Sequence, residues 1–298
     1  MNQILKGIIP PLVTPLQEDG SLDEKGLKRL VDHCIRGGVD GIFILGSCGE
    51  GSVFPIGFRK EFTQKTLEFA AGRVPVLVGV LDNSTPKVIE GIKALAETGA
   101  EYFVVTAPYY LAVTGQEAIY RHYQTVAAST EKKIVIYNIP SFTHTNIAPE
   151  TAARLLRDID NIAGEKDSTD DWAQFEKELF LKTEETGSLL SGCEETCALS
   201  MLLGADGCVP CLANAYPAFF AELYAAAREG NVEKVFSMQK EITELRAIMG
   251  CGYWVSIVKY LCARKDLIQD YPAAPEVPLT AEQKQAVEGI LATMERFR

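Results

Sequence analysis

The 298 residues are 47% hydrophobic and carry a formal net charge of −11 at pH 7, enough apolar material for one large domain or two small ones. The negative balance argues against nucleic acid as a partner, because phosphates demand a basic surface, while a small anionic substrate can still be met by a few local donors. The first 20 residues show no basic-then-apolar leader, and no apolar run approaches the ~20 residues of a membrane span, so a cytoplasmic chain without a membrane partner is expected.

Gly7 to Pro15 reads as a first strand, apolar and broken at prolines. Gly20-Ser21-Leu22-Asp23 turns into a helix, with Ser21 or Asp23 as N-cap, that runs to about Arg36. Gly41 to Leu45 is a second apolar run, stopping at Gly46-Ser47-Cys48-Gly49-Glu50-Gly51. A helix over 57–71, a strand over 74–80 and a helix from Asp82-Asn83-Ser84-Thr85-Pro86 to Gly99 repeat the grammar. A strand over 101–106 ends in Ala107-Pro108-Tyr109-Tyr110. A helix over 116–129 leads to the fifth strand, Val135-Ile136-Tyr137-Asn138-Ile139-Pro140, and a helix over 149–156 leads to the sixth, Asn161 to Asp167. A short helix over 172–177, a strand over 187–192, a helix over 194–203 and a strand over 205–210 complete the series.

The joints Gly38-Val39-Asp40-Gly41, Gly99-Ala100-Glu101 and Gly204-Ala205-Asp206-Gly207 are near copies, each closing a helix on glycine and opening a strand on an acid. Strands apolar on both faces are buried parallel strands. Eight alternating units predict an α/β (β/α)8 TIM barrel with a C-terminal helical extension. The other architecture for such a pattern, an open doubly wound sheet, lacks its Gly-rich fingerprint after the first strand. From Pro217 onward only helical pattern remains, two or three extra helices, which divides the chain into a catalytic barrel over 1–220 and helices over 221–298 packed on it as one structural unit.

Such a barrel carries its chemistry at the C-terminal ends of its strands. There the sequence offers a phenol at Tyr137, an amine at Lys166, hydroxyls, and carboxylates at Glu194 and Glu195. If the fifth and sixth strands are neighbours, Tyr137 and Lys166 emerge side by side. A lysine in a barrel mouth can lose its proton and attack a ketone, and a phenol beside it can carry protons. His33 and His122 fall in helices and His144 in a loop, and no cluster has metal-ligand spacing. The eight cysteines read as reduced thiols, with Cys208 and Cys211 on one strand facing opposite sides.

Three motifs carry a resemblance. Gly46-Ser47-Cys48-Gly49-Glu50, Tyr137-Asn138-Ile139-Pro140 and Gly164-Glu165-Lys166-Asp167, in this order, resemble the N-acetylneuraminate lyase / dihydrodipicolinate synthase family of pyruvate-dependent class I aldolases. The resemblance implies that Lys166 forms a covalent imine with pyruvate, with no other cofactor, and that Tyr137 shuttles protons. It puts Ser47 and Cys48, beside Gly49, at the pyruvate carboxylate. Phe142, Ser168, Gly192, Glu194, Glu195, Val209 and Cys211 would line the pocket around the rest of the substrate.

Two departures stand out: Cys48 replaces a threonine, and Glu165 replaces an apolar residue at a position that points away from the site. Phe142 stands where the lysine-biosynthesis synthase carries an arginine for a second carboxylate. The pattern therefore reads as a lyase splitting a 4-hydroxy-2-oxo deoxy sugar acid, of the N-acetylneuraminate or 2-keto-3-deoxygluconate type, into pyruvate and an aldehyde. The alternatives on the same imine are a sugar-diacid dehydratase or dihydrodipicolinate synthase, and without catalysis an oxo-acid sensor. The apolar segment 107–113 after a strand end predicts an interface. The resemblance makes it a homo-oligomer, a tetramer of paired dimers, with Tyr110 completing a neighbour's site.

Overall fold

The computed structural model describes residues 5–183 and 187–298. Among these, eight strands form one sheet of parallel neighbours in the order β1-β8-β7-β6-β5-β4-β3-β2. They are β1 Gly7–Ile8, β2 Ile42–Ile44, β3 Val76–Val80, β4 Tyr102–Thr106, β5 Lys133–Asn138, β6 Ile162–Asp167, β7 Ser188–Ser191 and β8 Gly207–Cys208. Beyond β1, the Leu12 N–H donates to Phe43 O at 2.7 Å and the Phe43 N–H donates to Pro10 O at 3.0 Å, which lays the first segment against β2 and curls the sheet round on itself. This is the expected TIM-barrel architecture. The first ladder is shorter than the apolar run over 7–15 because Pro10 and Pro11 have no N–H to give it.

Side chains alternate along each strand. Ile9, Phe43, Leu77, Val104, Val135 and Leu190 fill the barrel interior, while Ile44, Val78, Val105 and Ile136 pack outward under the helices. The helix Glu24–Arg36 is capped by Asp23, whose carboxylate accepts from the Gly26 N–H at 2.9 Å. The helix after β6 runs Trp172–Leu181, longer than its sequence pattern, and is capped by Asp171 accepting from the Gln174 N–H.

The helix Pro217–Arg228 packs against Glu24–Arg36 and against Cys197–Leu202, so the outer ring closes on it. The boundary expected at 220/221 falls inside this helix. Among the described residues, Val232–Leu245, Trp254–Ala263 and Ala281–Leu291 then form the helical extension. No helix among the described residues is long and apolar enough to cross a membrane.

Candidate active site

The pairing of β5 with β6 contains an irregularity that places the two reactive side chains. Ile134 pairs with Ile162, but Val135 pairs with Gly164, so Ala163 is an extra residue on β6. After this bulge Tyr137 lies opposite Lys166. Without it Tyr137 would face the position of Glu165, and the amine would point out of the barrel. Lys166 is buried, with Nζ 4.0 Å from the centroid of the Tyr137 ring and 5.2 Å from that of Phe43. Phe43 meets the Tyr137 ring edge-on, 6.2 Å between centroids, which fixes the phenol's direction. Gly192 leaves the amine stem its room: a Cβ there would lie 2.9 Å from Lys166 Cε and 1.9 Å from Ser168 Oγ.

The loop after β2 brings the second group. Ser47 Oγ sits 3.5 Å from the Tyr137 hydroxyl, so the two hydroxyls can pass a proton between them. The loop is tied from two sides. Thr14 Oγ1 donates to Gly49 O at 2.6 Å, and Glu50 accepts from the Ala273 N–H at 2.7 Å while pairing with Lys259 Nζ at 2.6 Å. Gly49 stands behind the pocket wall, where a side chain would press on Leu12 O at 2.8 Å and the loop could not close. The Cys48 thiol is buried, and burial with the Glu50 carboxylate pushes it well above its ordinary range, so it is a neutral thiol and no nucleophile.

The ends of β7 and β8 supply the far wall. Glu194 is 2% exposed, and its oxygens are already engaged: the Leu212 N–H donates at 2.7 Å, the Cys211 thiol at 3.6 Å and Arg246 Nη1 at 2.6 Å. The same guanidinium holds Glu195 through Nε at 2.5 Å, and the Glu195 side chain is 49% exposed. Cys208 closes β8, but Cys211 lies beyond the strand in the 3₁₀ turn Cys211–Asn214. The expected opposite-face pair on one strand is therefore not formed, and Cys211 turns into the pocket. All eight cysteines are free thiols.

Ser47, Cys48, Tyr137, Phe142, Lys166 and Ser168 line one cavity of about 170 Å³ together with Gly192, Glu194, Glu195, Val209 and Cys211. Tyr110 and Gly49 do not line it. Tyr110 is 86% exposed on the loop after β4, at a left-handed φ of 71°. Its neighbour Tyr109 turns inward and donates to Leu81 O at 3.0 Å. Sequence reasoning missed Asp170, Arg246 and Trp254, which also line the cavity. Arg246 comes from the helical extension, 52 residues after Glu194, and no local motif marks it.

On the outer side of β6, Glu165 faces Glu178 of the helix Trp172–Leu181, away from the cavity, as its strand parity predicts. Burial, with Glu178 and Asp167 nearby, pushes Glu165 well above the usual carboxylate range.

A model of the Dihydrodipicolinate synthetase family matches residues 4–294, and the chain belongs to that family. It is 34% identical over 265 residues to the 4-hydroxy-tetrahydrodipicolinate synthase of Porphyromonas gingivalis, covering 89% of each chain. It is 32% identical over 280 residues to the enzyme of the same name from Salinibacter ruber, covering 93% of this chain and 91% of that one. YagE of E. coli, a prophage protein of the dihydrodipicolinic acid synthase family solved in complex with pyruvate, superposes with a TM-score of 0.93 at 28% identity, over 98% of this chain and 99% of that one. The chain is thus a pyruvate-dependent aldolase-type enzyme of the carbon–carbon lyase class, and the sensor reading falls away. These relatives' names point to the synthase and not to a sugar-acid lyase.

Proposed function

We propose that the chain forms an imine between Lys166 and a 2-oxo acid and reversibly cleaves a 4-hydroxy-2-oxo deoxy sugar acid to pyruvate and a neutral, hydroxylated aldehyde. The observation that carries the imine step is the Tyr137–Lys166 register at the mouth of the barrel. Lys166 Nζ attacks C2 and water leaves. Tyr137, in reach of Ser47, takes the C4 hydroxyl proton while the C3–C4 electrons flow into the iminium. The aldehyde departs, the enamine is protonated at C3, and hydrolysis releases pyruvate and the free amine.

The neutral aldehyde is favoured by charge. Phe142 cannot pair a carboxylate, and Arg246 is committed to Glu194 and Glu195. A second buried carboxylate left unpaired costs several kcal/mol. Glu195, half-exposed and held by Arg246 through Oε1, has its second oxygen to accept from substrate hydroxyls.

A second reading, condensation of pyruvate with aspartate semialdehyde, is favoured by the names of the relatives. It would require Arg246 to turn from Glu195 to the acceptor's carboxylate. The two are separated by measuring pyruvate release from a panel of deoxy sugar oxo acids beside pyruvate consumption with aspartate semialdehyde. Turnover confined to the semialdehyde overturns the lyase reading, and loss of water from a sugar diacid without pyruvate release identifies a dehydratase.

Tyr110 is the third proton-transfer group of this proposal, acting in a neighbouring subunit of a tetramer. Its exposure together with that of Leu111 supports a subunit contact there. Mixing Tyr110→Phe with Lys166→Ala subunits should recover activity, since a hybrid dimer holds one intact site. Subunit exchange without recovery refutes action in trans.

A further inference from the structure

We infer that Glu165, Asp167 and Glu178 form a binding site for a small, hard divalent cation of the magnesium or manganese class on the outer side of β6. One oxygen from each carboxylate lies within 4.8 Å of the others, and all three residues are buried. Cis ligands around such an ion stand about 3 Å apart and trans ligands about 4 Å, so a modest contraction completes the arrangement.

Two further observations point to a ligand. Glu165 Oε1 and Glu178 Oε2 receive no hydrogen bond from the protein, although Glu165 is 1% and Glu178 5% exposed. Both residues line a cavity of about 20 Å³ between β6, β7 and the flanking helices, room for one ion or water.

Hydrogen bonds hold both Asp167 oxygens and Glu178 Oε1 in place. Thr169 donates to Asp167 Oδ1 through its N–H at 3.1 Å and its hydroxyl at 2.8 Å. Asn138 Nδ2 donates to Asp167 Oδ2 at 3.3 Å, and Gln174 Nε2 donates to Glu178 Oε1 at 3.1 Å. Outer donors of this kind orient metal ligands.

Charge compensation is lacking. Among the described residues, no lysine or arginine pairs with any of the three acids. Lys182, on the cavity wall, is committed to Asp206 at 3.3 Å. A buried anionic group of this size is sustained by a cation or relinquished to protons. Glu165 and Asp167 flank Lys166 on β6, so the ion would pin the lysine's strand to the helix Trp172–Leu181.

The test uses the full chain stripped with a chelator and titrated with manganese alone, followed by the paramagnetic resonance of the free ion and by thermal denaturation. One bound ion per chain and a rise in Tm are expected. Glu178→Gln and Glu165→Gln should each weaken binding at least 10-fold, the loss that altering even an outer partner of a metal ligand brings. Both should still form a borohydride-trapped pyruvate adduct, which reports that the barrel is folded. Absence of manganese binding at millimolar concentration, or binding unchanged in both variants, overturns the site and leaves the acids holding protons.

Discussion

Gly192→Ala tests the approach of the amine most directly. The new Cβ would stand 2.9 Å from Lys166 Cε, 2.9 Å from Asp167 O and 1.9 Å from Ser168 Oγ. Ser168 can rotate away, but the Asp167 carbonyl belongs to the β6 backbone. Carbon atoms need about 3.5–4.0 Å between them, so Cε must retreat by roughly 0.6–1 Å. A displacement of about 1 Å at a reacting group costs on the order of 10²-fold in rate, while overpacking costs roughly 1–3 kcal/mol of stability. The assay is the rate of pyruvate trapping by borohydride, read on the Lys166 peptide by mass spectrometry, beside denaturant unfolding. Gly57→Ala, where nothing lies within 4 Å of the added atom, is the matched control. A Gly192→Ala protein that traps pyruvate at the wild-type rate would show that the glycine does not set the amine's position.

Arg246→Met should leave the buried Glu194 carboxylate without its cation, costing roughly 2–3 kcal/mol. It should raise KM for the complete oxo acid while pyruvate trapping persists, and an unchanged KM would remove Arg246 from the acceptor end. Lys259→Met breaks the buried pair with Glu50 and should cost roughly 3–5 kcal/mol in urea unfolding, part of it restored by adding Glu50→Gln. Simple additivity of the two substitutions would deny the coupling. His122 is buried, with Nδ1 2.9 Å from Thr85 Oγ1, and burial holds its imidazole down to about 4 from an ordinary 6.5. The unfolded chain binds that proton as pH falls through the ordinary value, whereas the folded chain refuses it until the lower one. Stability is therefore full above the ordinary value and declines towards the lower one, by roughly 3 kcal/mol at most. Unfolding curves across this window should flatten in His122→Gln, and an unchanged slope would assign the acid loss elsewhere.

Much of the site was legible in the chain. Alternating apolar runs and helix-closing glycines specified the barrel, because buried parallel strands need apolar side chains on both faces. Strand ends in such a barrel collect at one mouth, which brought Tyr137, Lys166, Ser47 and Glu195 around one cavity. Three things were decided only in three dimensions. The bulge at Ala163 sets whether Lys166 or Glu165 faces inward, and residue types do not announce a one-residue slip. Arg246 and Lys259 reach the loops after β7 and β2 from the helical extension, contacts between parts of the chain whose separation no local pattern encodes. Glu165 met another acid, Glu178, a partner that no local pattern identifies. Periodicity records which face a side chain takes, while the partner it finds there depends on how the helices settle against the strands.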